Sequence, residues 1–145
     1  MRIYVAGPGS DWRSSATLIE SLECEGHTIT HKWPDEFAKR ERGESVPPGP
    51  VLVANDLAGV RAADVVVLNL GWDHATEGAW MEWGVAHEAG KVLIAYLHGN
   101  TPAKWNRRIV TRSIFLDLGP GCHRVYSEGD LFELLAGLEQ ERRAA

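Results

Sequence analysis

The 145-residue chain is 44% hydrophobic and 24% charged, the balance of one compact domain able to bury a core without disulfides or metals. Its formal charge of -5 disfavours nonspecific binding to nucleic acid polymers, although a single nucleotide needs only a few local donors. Two isolated cysteines, Cys24 and Cys122, form neither a disulfide framework nor a zinc motif and are expected to be reduced thiols in a cytoplasmic protein. The first residues, MRIYVA, enter a strand pattern directly, so no signal peptide is expected. No apolar run approaches the roughly 20 residues of a membrane span, so no membrane partner is expected.

Residues 2–6 (RIYVA) read as a buried strand ending at the turn-forming cluster Gly7-Pro8-Gly9-Ser10. Residues 12–25 place Ala16, Leu18, Ile19 and Leu22 on one helical face, with Gly26 as the cap. Residues 27–32 are β-prone and end at Trp33-Pro34. The stretch 34–50, with Pro34, Pro47, Pro48 and Pro50, reads as a long loop with room for a short helix. A second helix spans 51–62, a doubly apolar strand 64–70, a loop 71–75, a third helix 77–89 and another buried strand 91–97. Residues 101–111 fit a helix, 113–118 a strand and 128–143 a C-terminal helix, with Gly119-Pro120-Gly121 between the last two. This alternation predicts a single α/β domain over 1–145. Its core is a doubly wound, five-stranded, mostly parallel sheet with helices on both faces. Ligands of such sheets bind beyond the carboxyl ends of the strands, where the loops 7–13, 71–76 and that after Leu97 meet.

Two carboxylates stand where hydrophobes belong. The third helix turns Gly78/Ala79, Glu82, Val85/Ala86 and Ala89 to one face, which puts Glu82 in the middle of the apolar stripe. In the second helix Val53, Leu57 and Val60 point inward and Asp56 borders them. A charge is almost never buried in such a stripe unless it is paired or working. Pairing with a buried Arg, or capping of a neighbouring backbone, is the bland account of one such residue. Two in register beside a ligand crevice favour function, because glycosidic chemistry uses one group to attack an anomeric carbon and another to handle protons or hold the sugar. Asp64, between a helix and a strand, fits capping or a turn. Glu77 fits the favourable first turn of its helix.

The remaining candidates have two readings each. Gly7, Gly9 and Ser10 lack the third glycine of a dinucleotide fingerprint, where Trp12 stands. They fit either a plain turn or a loop against sugar or phosphate. Thr76 is a helix N-cap that can equally hold a phosphate or sugar hydroxyl. Trp72, Asp73 and His74 form a rim loop that either stacks on a base or is simply exposed. Tyr4 fits core packing, Trp80 and Trp83 fit packing between helices or subunits, and Trp33 fits the lining of the crevice. The six histidines show no ligand spacing, so neither a metal nor another cofactor is predicted.

The segments RIYVAGP, NDLAGVRAADVVVLNL and TEGAWMEWGVAHEAGKVLIAY together resemble the nucleoside 2-deoxyribosyltransferase superfamily, which includes the 2'-deoxynucleoside 5'-monophosphate N-hydrolases. The resemblance runs over roughly residues 2–97 without 33–50. Its sharpest element is Glu-x-Gly-x-Ala, with a glycine, Gly78, four residues before the glutamate. It implies that Glu82 is the nucleophile, that Asp56 binds the deoxyribose and assists protonation, and that Tyr4 lies near both. Many transferases of the family carry an aspartate at position 76 and the nucleotide hydrolases a serine, so Thr76 leans toward a monophosphate. The family also implies a homo-oligomer whose subunits share active sites, with 101–113 as a source of such contacts.

Residue pattern and resemblance converge on cleavage of N-glycosidic bonds in (deoxy)nucleosides or their monophosphates. Glu82, Asp56 and Tyr4 are the catalytic candidates; Gly7, Gly9, Ser10, Trp72, Thr76 and Gly78 are the substrate-binding ones. An NAD-type glycohydrolase and a non-catalytic nucleotide-binding module are the alternative readings, since a fold by itself decides none of them.

Overall fold

Glycine-bounded apolar runs become the strands of one sheet. The computed structural model describes residues 1–71, 77–99, 119 and 121–145. In chain order they form β1 (Arg2–Ala6), a 3-10 turn (Gly9–Asp11), α1 (Trp12–Cys24), β2 (Thr28–Ile29), α2 (Pro34–Glu41), α3 (Gly49–Ala62) and β3 (Val65–Asn69). There follow α4 (Glu77–Glu88), β4 (Val92–Tyr96), β5 (Cys122–Val125) and α5 (Glu128–Ala144). The strand order is β2-β1-β3-β4-β5 with every pairing parallel, so the expected doubly wound α/β sheet is present. Register pairs Tyr4 with Val66 and Val66 with Leu93.

Alternation along each strand separates two cores. Ile3, Val5, Val65 and Val67 meet Leu18, Ile19 and Leu22 of α1 and Leu131 and Leu135 of α5. Tyr4, Ala6, Val66 and Leu68 face the other way, toward Val60, Ala79, Trp83 and Ala86 of α3 and α4. β3 is buried along its whole length, as a central parallel strand covered on both faces must be. Among the described residues no helix is long and apolar enough to cross a membrane.

Several sequence expectations need correction. The short helix allowed for in the Pro-rich stretch is α2, and the rest of the expected loop is shorter, since α3 begins at Gly49. α2 forms because Pro34 occupies its first turn, where a missing N–H costs nothing. Asp35 and Glu36 follow in that turn and Lys39 and Arg40 lie in the last, which suits the helix dipole. The last described strand is Cys122–Val125; the expected helix 101–111 and strand 113–118 lie outside the described residues. Val53 is 48% exposed rather than inward, because α3 buries only Gly59 and Val60, in its C-terminal half. In α4 the buried stripe is Ala79, Trp83 and Ala86, with Gly78 and Ala89 exposed. Trp83 therefore fills the core between helix and sheet, and Glu82 stands at the margin of that stripe rather than in its middle.

Candidate functional site

The site begins with a tyrosine in a strand. Tyr4 is fully buried on β1 and faces α3 and α4. Its ring runs under α3 at Gly59, where an added Cβ would lie 2.9 Å from Tyr4 Cδ2. A glycine at this point lets the helix come down onto the ring. The Tyr4 hydroxyl donates a 2.9 Å hydrogen bond to Glu82 Oε1. Asp56, one turn before Gly59, is partly buried and close enough for its charge to act on Tyr4.

Electrostatics follow from that crowding. Burial raises the Glu82 carboxyl to about 8, with the Asp56 charge adding to the rise and the Tyr4 hydrogen bond opposing it. Tyr4 is held well above the ordinary phenol range by burial, then by the charges of Glu82 and Asp56. Among the described residues neither carboxyl pairs with a lysine or arginine. The basic group beside them is His31, whose Nε2 lies 3.3 Å from Asp56 Oδ1. Two acids and a phenol in one partly buried cluster can supply an attacking carboxylate, a proton carrier and a hydrogen-bond donor.

The floor beside Tyr4 is braced from α2. β2 is too short to pair with the end of β1, so the Val5 carbonyl needs another partner. The Trp33 indole N–H supplies it at 2.7 Å. Trp33 is buried and meets Phe37 edge to face, with ring centroids 5.6 Å apart. Phe37 in turn covers Gly9, where an added Cβ would lie 2.7 Å from Cζ. Trp33, expected to line the crevice, is thus a structural brace for the β1–α1 turn. A Cβ at Gly7 would lie 2.6 Å from Ser15 Oγ, so both glycines of that turn sit close against neighbouring side chains.

Sequence-predicted site residues therefore fall into three groups. Tyr4, Asp56 and Glu82 come together. Gly7, Gly9 and Ser10 form the turn after β1, and Gly78 is exposed in the first turn of α4. Trp72 and Thr76, with Asp73 and His74, lie outside the described residues. His31 escaped the sequence reading, since a histidine at the end of a short edge strand carries no pattern that marks it. Asp64 is no helix cap: it accepts from the Arg2 backbone N–H at 3.0 Å and from Arg2 Nη2 and Arg142 Nη1 at 2.8 Å each.

No protein-family model matches the chain, and no curated protein matches its sequence. Among solved structures, a 2-deoxyribosyltransferase from the psychrotolerant bacterium Bacillus psychrosaccharolyticus aligns with a TM-score of 0.61, covering 90% of each chain at 18% identity. That enzyme is described as a biocatalyst for the synthesis of antiviral and antitumoral nucleosides. This chain shares its α/β fold over nearly the whole length of both proteins.

Proposed function

We propose that the chain is a member of the nucleoside 2-deoxyribosyltransferase superfamily that cleaves the N-glycosidic bond of (deoxy)nucleosides or their 5'-monophosphates. The observation that carries this reading is the Glu82 carboxyl, hydrogen-bonded by Tyr4 at 2.9 Å, beside Asp56, and unpaired with any described lysine or arginine. The shared fold supports it.

In the proposed reaction the ionised Glu82 attacks C1', and the bond from C1' to the base nitrogen breaks through an oxocarbenium-like transition state. The departing base takes a proton with help from Asp56, leaving a glycosyl ester on Glu82. Water resolves the ester to free sugar and regenerates the carboxylate, while a second base would instead give a new nucleoside. Thr76 favours the hydrolytic, monophosphate route. Gly7, Gly9, Ser10, Trp72, Thr76 and Gly78 form the proposed substrate surface. A cytoplasmic homo-oligomer with shared sites belongs to the same reading.

A panel of nucleosides and 5'-monophosphates, each with and without an acceptor base, tests it by chromatography of released base and intact-protein mass. Glu82→Ala is expected to lower base release by on the order of 10³-fold and to abolish any sugar adduct. Release by Glu82→Ala at the parent rate would remove Glu82 from the mechanism.

A further inference from the structure

We propose that His31 is a positioning residue for Asp56, an inference that rests on the reaction proposed above. His31 lies between β2 and Trp33, and its Nε2 is 3.3 Å from Asp56 Oδ1. Both side chains are about three-quarters buried, at 23% and 25% exposure. The Nε2 atom is itself buried and has no aligned hydrogen bond among the described residues. A buried imidazole nitrogen needs a hydrogen-bond partner, and among the described residues the Asp56 carboxylate lies 3.3 Å from it and can accept from an N–H there.

Two further features keep the ring in place. Gly59, one turn beyond Asp56, brings the α3 backbone so near that a Cβ there would lie 2.7 Å from the His31 Cβ. Two residues on, Trp33 is fixed to the Val5 carbonyl by its indole N–H. The base of the His31 side chain is therefore wedged between α3 and a buried anchor. Asp56 lies ahead of the fully buried end of α3, Gly59 and Val60, and is itself only partly buried, so the helix does not by itself fix its carboxylate. Left alone, its carboxylate would turn to water, where it is better solvated. An N–H held at Oδ1 keeps it facing Tyr4 and Glu82, ready to assist the leaving base.

The test compares His31→Ala, His31→Gln, Asp56→Asn and the His31→Ala/Asp56→Asn pair, each checked for native circular dichroism. His31→Ala should lower kcat for base release by about 10- to 100-fold with little change in KM, as loss of a partner that orients an active group does. His31→Gln, which keeps a donor at similar reach, should recover most of that loss. In the Asp56→Asn background His31→Ala should cost less than about 2-fold, since its effect passes through Asp56. An undiminished loss in that background, or a glutamine variant no better than alanine, overturns the proposal. Long-range ¹H–¹⁵N spectra of the imidazole provide an arm independent of turnover. The His31 Nε2 signal should move in Asp56→Asn, and an unmoved signal also overturns the proposal. A parent that releases no base from the whole panel overturns the underlying reaction instead, while those spectra still decide the pairing.

Discussion

A carboxyl withdrawn from water keeps its proton, and Glu82 does so up to about pH 8 for that reason. The sign of the consequence for stability is fixed. The ordinary value is 4.5, so between 4.5 and about 8 the folded chain holds a proton that the unfolded chain has lost. Stability therefore falls as pH rises through that window and levels off above it. Glu82→Gln removes this dependence, so denaturant midpoints should favour the variant by a margin that widens from pH 4.5 to about 8, reaching a few kcal/mol at most. A constant margin across that range would show that the carboxyl is not held protonated. Catalysis has the opposite demand, since attack needs the ionised form. The Tyr4 hydrogen bond eases that conflict by stabilising the carboxylate. Tyr4→Phe should therefore move the rising limb of the pH profile of kcat/KM to higher pH, and an unmoved limb would deny the tyrosine this role. At this scale the sequence was partly legible. Glu82 and Asp56 stood out as acids beside apolar helix positions, whereas Tyr4, alternating with Ile3 and Val5, fitted core packing by pattern and was marked as a site residue only by the family resemblance.

Helices are brought to the sheet by small residues, and α3 shows the rule at Gly59. Alanine is a better helix former than glycine by about 1 kcal/mol, which alone would make Gly59→Ala stabilising. Against this, the new Cβ would lie 2.7 Å from His31 Cβ and 2.9 Å from Tyr4 Cδ2, and neither neighbour is the free end of a flexible chain. Overpacking of that kind costs about 1–3 kcal/mol, so a net loss of about 1 kcal/mol is expected, with reduced base release as α3 lifts Asp56 away. Gly137→Ala in α5, where nothing lies within 4 Å of the added carbon, should instead gain about 0.5–1 kcal/mol. Thermal unfolding of the two variants checks both signs, and a stabilised Gly59→Ala would refute the close approach. Element identity was legible where burial was complete. β1, β3 and β4 are near-continuous apolar runs, and they were read from sequence within a residue or two. The edge strand β2, Thr28–Ile29, lies within the β-prone stretch 27–32, whereas β5, Cys122–Val125, is only partly buried and its mixed composition resembles loop. In α4 the expected stripe already held the buried Ala79 and Ala86 but was centred on Glu82, whereas Trp83 completes the buried face.

The whole molecule is closed at the N-terminal edge of its sheet, where the start of β1, the start of β3 and the C-terminal helix converge. Asp64 accepts from Arg2 and from Arg142, and the Met1 ammonium meets Glu139 of α5 at 2.6 Å. The tie joins residues far apart in sequence, which is why a reading by local pattern assigned Asp64 to a cap or turn. Hydrogen bonds from Arg2 hold the Asp64 carboxyl well below its ordinary 3.8, with Arg142 contributing. A depressed acid stabilises the fold above its unfolded value and loses that contribution as pH falls through its folded value. Both arginine side chains are more than half exposed, so solvent screens much of the attraction. Asp64→Asn is accordingly expected to cost on the order of 1 kcal/mol at neutral pH, a fall in Tm of roughly 3–4 °C. The gap to the parent should narrow in high salt and close in acid as the parent's own carboxyl is protonated. Base release measured well below Tm should be unchanged, because this tie supports the scaffold and none of the groups at Glu82. A gap that persists unaltered into strong acid would show that packing around residue 64, and not its charge, secures that edge.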